Sequence, residues 1–399
     1  MKQLNLVFPI LAVALILSLF GCTGTSVPAE STAKVEKTVE AALQRGLGAR
    51  GTLEPFTPVS KPTRPPKLTG KSKTVFKTVK VETVRPTPTP PPSPPPKLTG
   101  KSKTVKVETV QPTPTPPPSP PVFAGILGTE GKGYGEFFQP MGVAVASDGS
   151  VYVADTLNNR FHKITSEGVF VFYHVGAETF SNPRGVAVAS DGSVYVADSI
   201  NDRIQKYTSE GVFAGLWGTK GTGNGQFKKP SAVAVAPDGS VYVADTYNNR
   251  IQKFTSLGVF VSKWGTSGTG DGKFNLPYDV AVASDGSVYV ADNQNDRIQK
   301  FTSDGVFVTK WGTQGTGAGQ LRLPGGIAVA SDGSVYVADS YNNRIQKFTS
   351  TGVFLIKWGT KGTGSGEFNN PIGIAVAPDG SVYVADSYVH RVQKFSPDP

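Results

Sequence analysis

The residues of this chain best suited to chemistry come as acid–base pairs. Six times an Asp stands five residues ahead of an Arg: Asp155 with Arg160, Asp198 with Arg203, Asp245 with Arg250, Asp292 with Arg297, Asp339 with Arg344, and Asp386 with Arg391. A carboxylate beside a guanidinium can hold an anion or shift a proton's affinity. A pair present in every repeat, however, serves what every repeat needs. Each spans a polar turn between two strand-like runs, so they are read as turn-fixing pairs. Other candidates are few. The chain has three histidines and one cysteine, Cys22. His162, His174 and His390 replace a Gln, a Trp and an Asn of the repeat, which points to scattered substitution rather than a metal set. A single Cys excludes an intramolecular disulfide. The sequence holds no Gly-x-Ser-x-Gly elbow, Walker loop or His-Glu-x-x-His. Its Gly-Thr-x-Gly-Thr-Gly loops lead into strands rather than helices, so they read as connections and not phosphate cradles. No catalytic residue, metal or cofactor is expected.

What positions the pairs is the octet Asp148-Gly149-Ser150-Val151-Tyr152-Val153-Ala154-Asp155. It returns from Asp191, Asp238, Asp285, Asp332 and Asp379, spaced by 43 residues once and by 47 four times. Such a period means stacked supersecondary units. In the third copy, Ala232 to Ala236 and Val241 to Ala244 are short apolar runs joined by the turn Pro237-Asp238-Gly239-Ser240. Apolar character on both faces marks a strand covered on both sides. Arg250-Ile251-Gln252-Lys253-Phe254 alternates, as a strand farther from the core should. After the turn at Gly258, Val259 to Trp264 supplies a fourth strand. Four-stranded antiparallel meanders of this kind pack around an axis as propeller blades.

The ends of the repeat region argue for a ring. Val122 to Leu127 matches a fourth strand without its first three, and Arg391 to Phe395 is a third strand without a fourth. The expected fold is all-β, a six-bladed β-propeller over 122–399, with Val122 to Leu127 joining the last blade. Strand one lies nearest the axis. Its first variable position, Met141, Arg184, Ser231, Tyr278, Gly325 and Ile372, should therefore ring the channel mouth. A second varying set, Leu157, Ile200, Tyr247, Gln294, Tyr341 and Tyr388, belongs to the same end. Exposed Tyr and aliphatic residues grouped there suit a ligand-binding rim. The connection from Val169 to Pro183 is four residues shorter than that from Val212 to Pro230, which notches the rim beside Arg184 and His174.

The net charge of +10 is unevenly placed: 17 Lys/Arg against 6 Asp/Glu in residues 1–121, and 23 against 24 in the repeats. The propeller is thus about neutral, and a nucleic-acid partner is not expected. Residues 31–45 carry a short helical pattern. From Leu53 to Pro121 the chain is Pro, Thr, Lys and Val, read as a disordered, extended stalk; wholly extended, Thr23 to Pro121 would reach at most on the order of 300 Å at about 3.1 Å per residue. Its Lys clusters suit anionic wall polymer or headgroups.

Two resemblances follow from these residues. Met1-Lys2, the apolar run Leu4 to Phe20 and Leu19-Phe20-Gly21-Cys22 resemble a bacterial lipoprotein signal with its lipobox, although Phe20 is bulky for that motif. The resemblance implies a signal peptide over 1–21, a lipid on Cys22, a linker over 22–121, and a cell-membrane or outer-membrane location facing outward. Thr23 after the Cys leans toward the outer membrane if the cell has one. The recurring Pro-x-Gly-Val-Ala-Val, Gly-Ser-Val-Tyr-Val-Ala-Asp and Asn-Asn-Arg-Ile-Gln-Lys-Phe resemble the NHL repeat across 122–399. That family's propellers are mostly binding platforms. Related six-bladed enzymes, among them streptogramin lyases and gluconolactonase-like hydrolases, use metal ions held by His, Asp, Glu or Asn near the axis. The expectation is a monomeric, non-catalytic platform for an extracytoplasmic protein, peptide or glycan, with a metal-assisted lyase or hydrolase as the alternative.

Overall fold

The computed structural model describes residues 119–175 and 179–397. The expected signal segment, the anchor at Cys22, the helical pattern over 31–45 and the stalk up to residue 118 lie outside them. No helix among the described residues is long and apolar enough to cross a membrane.

Six four-stranded antiparallel sheets follow one another along the chain. In the third, the inner strand Ala232–Val235 is followed outward by Val241–Asp245, Arg250–Phe254 and Phe260–Trp264. The second strand of each blade is wholly buried, and its alternation explains why both of its faces are apolar. Val241 and Val243 pack back on Tyr195 and Ala197 of the preceding blade, while Tyr242 and Ala244 pack forward on Val288 and Val290 of the next. The same kind of layer fills each of the six gaps between blades. Each buried Val or Tyr contributes roughly 1.5–3 kcal/mol, so stability is spread around the ring rather than held in one mass.

The third strand differs from its expected place. Its polar–apolar alternation reads as a half-exposed strand, yet Arg250, Ile251, Gln252 and Phe254 are all buried. Asp245 makes this tolerable, because its Oδ2 accepts hydrogen bonds from Arg250 Nε at 2.7 Å and Gln252 Nε2 at 3.0 Å. Buried polar groups are stable when paired in this way.

The ring closes as expected. Val122–Leu127 pairs antiparallel with Arg391–Ser396 and becomes the outer strand of the blade that contains Pro371–Val376 and Val382–Asp386. Inner strands pack on one another in a cycle that returns from Pro371–Val376 to Pro140–Val145. Side chains latch neighbouring blades at both ends. Tyr195, Tyr242 and Tyr289 donate their hydroxyls to the carbonyls of Ser256, Ser303 and Ser350 in the next blade, at 3.0–3.2 Å. At the mouth end, Asn249 (φ 53°) accepts the Leu276 N–H on Oδ1 at 2.8 Å. Asp202 and Lys229, Asp296 and Leu323, and Asn343 and Asn370 repeat this contact. Where blade six meets blade one, the acceptor is His390 Nδ1, 2.9 Å from Gln139 N.

Candidate functional site

The six Asp–Arg pairs hold the turn they span and a distant loop as well. Asp245 Oδ1 accepts the Lys228 N–H at 2.8 Å, and its Oδ2 receives Asn248 Nδ2, Arg250 Nε and Gln252 Nε2. Arg250 in turn donates to the carbonyls of Thr222, Gly223 and Gln226 at 2.6–2.8 Å. The pair therefore clamps the loop that delivers the chain to the inner strand. The other five blades form the same ion pair at 2.7–2.9 Å, from Asp155, Asp198, Asp292, Asp339 and Asp386.

Arg160, Arg297, Arg344 and Arg391 are buried, as Arg250 is. A buried guanidinium has five N–H groups to satisfy, and one Asp cannot take them all. Arg160 gives the remainder to the carbonyls of Lys132, Gly133 and Glu136. Arg297 gives them to Thr269, Gly270 and Lys273. Arg344 holds Thr316, Gly317 and Gln320, and Arg391 holds Thr363, Gly364 and Glu367. Arg203 is half-buried and reaches the Thr179 carbonyl at 3.5 Å. Burial pushes the Asp245 and Asp386 carboxyls above their usual range, against the pull of these donors.

Each histidine fills the part of the residue it replaces. His162 Nε2 lies 3.2 Å from Asp155 Oδ2, in the place of the Gln donor. Burial holds its imidazole below the usual pKa. His174, standing where other blades have Trp, stacks on Phe161 with ring centres 5.8 Å apart. His390 takes the left-handed Asn position (φ 59°) and stacks on Phe138 at 4.8 Å. Among the described residues, no three His, Cys, Asp or Glu side chains are grouped to hold a metal ion.

What remains unabsorbed by the scaffold lies on the axis. The inner strands of blades one and four bulge just after their first proline, at Met141 and Tyr278, and a bulge re-aims its side chain. Met141, Arg184, Ser231, Tyr278 and Ile372 line one narrow axial cavity of about 30 Å³, as expected for the channel throat. Above it lies a wider basin of about 220 Å³, which Tyr278, Tyr341, Tyr388, Met141 and Ile372 share. Tyr247 stays outside both; its ring lies under the Lys229 ammonium at 5.1 Å. The shortened connection between the first two blades includes residues 176–178, outside the described residues.

One axial residue lies outside the set expected at the channel mouth. The throat also holds Asp279. Four blades carry Gly at this step because the next blade comes too close for a side chain. A Cβ at Gly142, Gly326 or Gly373 would lie 2.2–2.3 Å from a carbonyl oxygen of the neighbouring strand. In blade four Asp279 is accommodated by bonding to that neighbour. Its Oδ2 accepts the Ile327 N–H at 2.9 Å, and its Oδ1 accepts the Val280 N–H at 2.8 Å. Burial raises its carboxyl to about 7. The departure was readable, since Pro277-Tyr278-Asp279 breaks the Pro-x-Gly pattern.

Arg184 is the other unusual group. It is half-buried, and its Nε is enclosed without a hydrogen-bond partner. Its guanidinium carbon lies 5.8 Å from the Tyr278 ring centre. A lone carboxylate whose oxygens already take two N–H groups, lining a throat with a guanidinium, does not fit a metal ion.

With that geometry in view, comparison with known proteins places the chain. The profile of the virginiamycin B lyase family matches residues 135–358, more than half the sequence. The chain belongs to the virginiamycin B lyase family. The match ends at the outer strand of blade five, and the NHL repeat profile takes up the last blade at residues 368–395. No curated protein matches the chain. Among solved structures, a streptogramin B lyase is 18% identical with a TM-score of 0.51, over 69% of this chain and 97% of that one. A protein of unknown function from Bacteroides thetaiotaomicron is 18% identical with a TM-score of 0.56, over 69% and 75%. A gluconolactonase from Xanthomonas campestris is 15% identical with a TM-score of 0.53, over 71% and 99%. At these identities the likeness is one of fold, and membership of the virginiamycin B lyase family leaves the chemistry of the mouth to be argued from its own residues.

Proposed function

We propose that this member of the virginiamycin B lyase family is a non-catalytic binding module, lipid-anchored through Cys22 outside the cytoplasm, that takes a protein, peptide or wall-glycan ligand at its channel mouth. The observation that carries the reading is the basin of about 220 Å³ lined by Tyr278, Tyr341, Tyr388, Met141 and Ile372. Amphipathic rings and aliphatic side chains grouped in a concave site are what ligand pockets are made of. The donor set supports it too, because His162, His390 and the paired carboxylates are engaged in bonds within and between blades. Pull-down from an envelope fraction tests it. Wild type should retain a ligand that a Tyr278→Ala/Arg184→Ala double variant loses; equal recovery moves the site off the mouth.

A second reading, a lyase or hydrolase, has one observation in its favour. Asp279, raised to about 7 in the throat, has the proton affinity of a general base. Incubation with a streptogramin B decides it: turnover abolished by Asp279→Asn establishes the enzyme, and intact substrate removes it.

A further inference from the structure

We propose that the mouth receives the terminal carboxylate of a peptide on Arg184, with the peptide's last, apolar side chain lying in the tyrosine basin. The proposal rests on the binding reading above and gives its ligand a chemistry.

Arg184 carries the argument. Eight arginines lie among the described residues, and six are the clamp arginines, each paired with its Asp. Arg322 is exposed to solvent, its guanidinium 4.1 Å from the Tyr341 ring centre. Arg184 alone is drawn into the throat with its Nε enclosed and unpartnered. Asp279 lines the same throat but makes no ion pair with it; that carboxylate is held by the N–H groups of Val280 and Ile327. A guanidinium carries five donors, and leaving its charge half-buried and unpaired is costly. A carboxylate meets the fork with two parallel hydrogen bonds. The throat, at about 30 Å³, admits one small group and not the body of a ligand.

The basin decides what the carboxylate is attached to. Met141, Ile372 and Leu323 line it together with Tyr278, Tyr341 and Tyr388. Two of the polar side chains there are already engaged. Asn293 Nδ2 donates to the Pro324 carbonyl at 3.0 Å, and Ser340 Oγ donates to that of Pro371 at 2.6 Å. An apolar side chain would bury itself against the rings and the aliphatic groups beside them.

The chain carries a built-in reporter, since it has two methionines and one of them, Met141, lines both throat and basin. The full chain, labelled with ¹³C on its methionine methyls, is titrated with N-acetyl-phenylalanine, its neutral amide and glucuronate. The proposal expects the carboxylate to move the Met141 methyl with about tenfold higher affinity than the amide. Arg184→Met should bring the two within about twofold, while Arg184→Lys keeps part of the preference, with unchanged melting temperatures showing that both variants fold. Equal or tighter binding of the amide overturns the carboxylate assignment and leaves the mouth-binding reading standing. Tighter binding of glucuronate overturns the peptide assignment. A Met141 methyl unmoved by all three at millimolar concentration overturns the proposal, and the envelope pull-down then judges the broader reading separately.

Discussion

His162 and Asp279 are single departures from the module, and each makes stability depend on pH in its own direction. Burial lowers the pKa of His162 in the folded state, so the unfolded chain binds more protons and stability falls as pH drops through about 6.5. Burial raises Asp279 from 3.8 to about 7. Here the folded chain binds more protons, so this contribution is fully present below about pH 4 and lost as pH rises through 7. Its size is on the order of a few kcal/mol. Melting temperatures measured from pH 4 to 8 separate the two. Asp279→Gly, the residue of four other blades, should remove the decline toward pH 8. His162→Gln should remove the loss on the acid side and raise stability by about 1 kcal/mol, because a Gln there donates to both the carboxylate and a loop carbonyl in other blades. Neither effect was legible from composition. Both residues stand out only when the copies are laid against one another, and what surrounds them is visible only in the packing.

At the scale of the strand and its loops, the clamp is the device that makes one module fold like the next. Asp245 gathers donors from the turn after it, the strand after that, and the loop seventeen residues before it. Removing it with Asp245→Ala leaves Arg250 buried and unpaired, a loss of about 3–5 kcal/mol in chemical denaturation. By contrast Tyr242→Phe removes one latch to the next blade, the bond to the Ser303 carbonyl, and should cost about 1 kcal/mol. The Asp–Arg spacing and its turn were legible because they are local. The loop carbonyls that Arg160, Arg250, Arg297 and Arg344 also hold lie 24–28 residues upstream, a partnership that no short pattern announces. The same long-range bonds explain why the alternating third strand is buried.

For the molecule as a whole, the blade count and the closure could be read directly, since repeats of fixed period with complementary fragments at their ends leave little else for the chain to do. The mouth was legible in part. Met141, Arg184, Ser231, Tyr278 and Ile372 meet there with Asp279, which breaks the Gly of the module, while Tyr247 faces Lys229. The strand Val122–Leu127 supplies the outer edge of the last blade, and its Phe123 packs against Phe395 with ring centres 6.0 Å apart. A chain beginning after residue 127 should therefore unfold earlier and in two steps, blade six before the rest, as followed by hydrogen exchange.

That final blade has a further consequence in the growing chain. Val122–Leu127 is made first and must wait, as an unpaired edge, until Arg391–Ser396 has emerged. During that wait any identical molecule can offer the strand it needs. Refolding at high concentration should thus yield dimers joined by exchanged first strands, each ring completed by its neighbour, and dilution during refolding should return monomers.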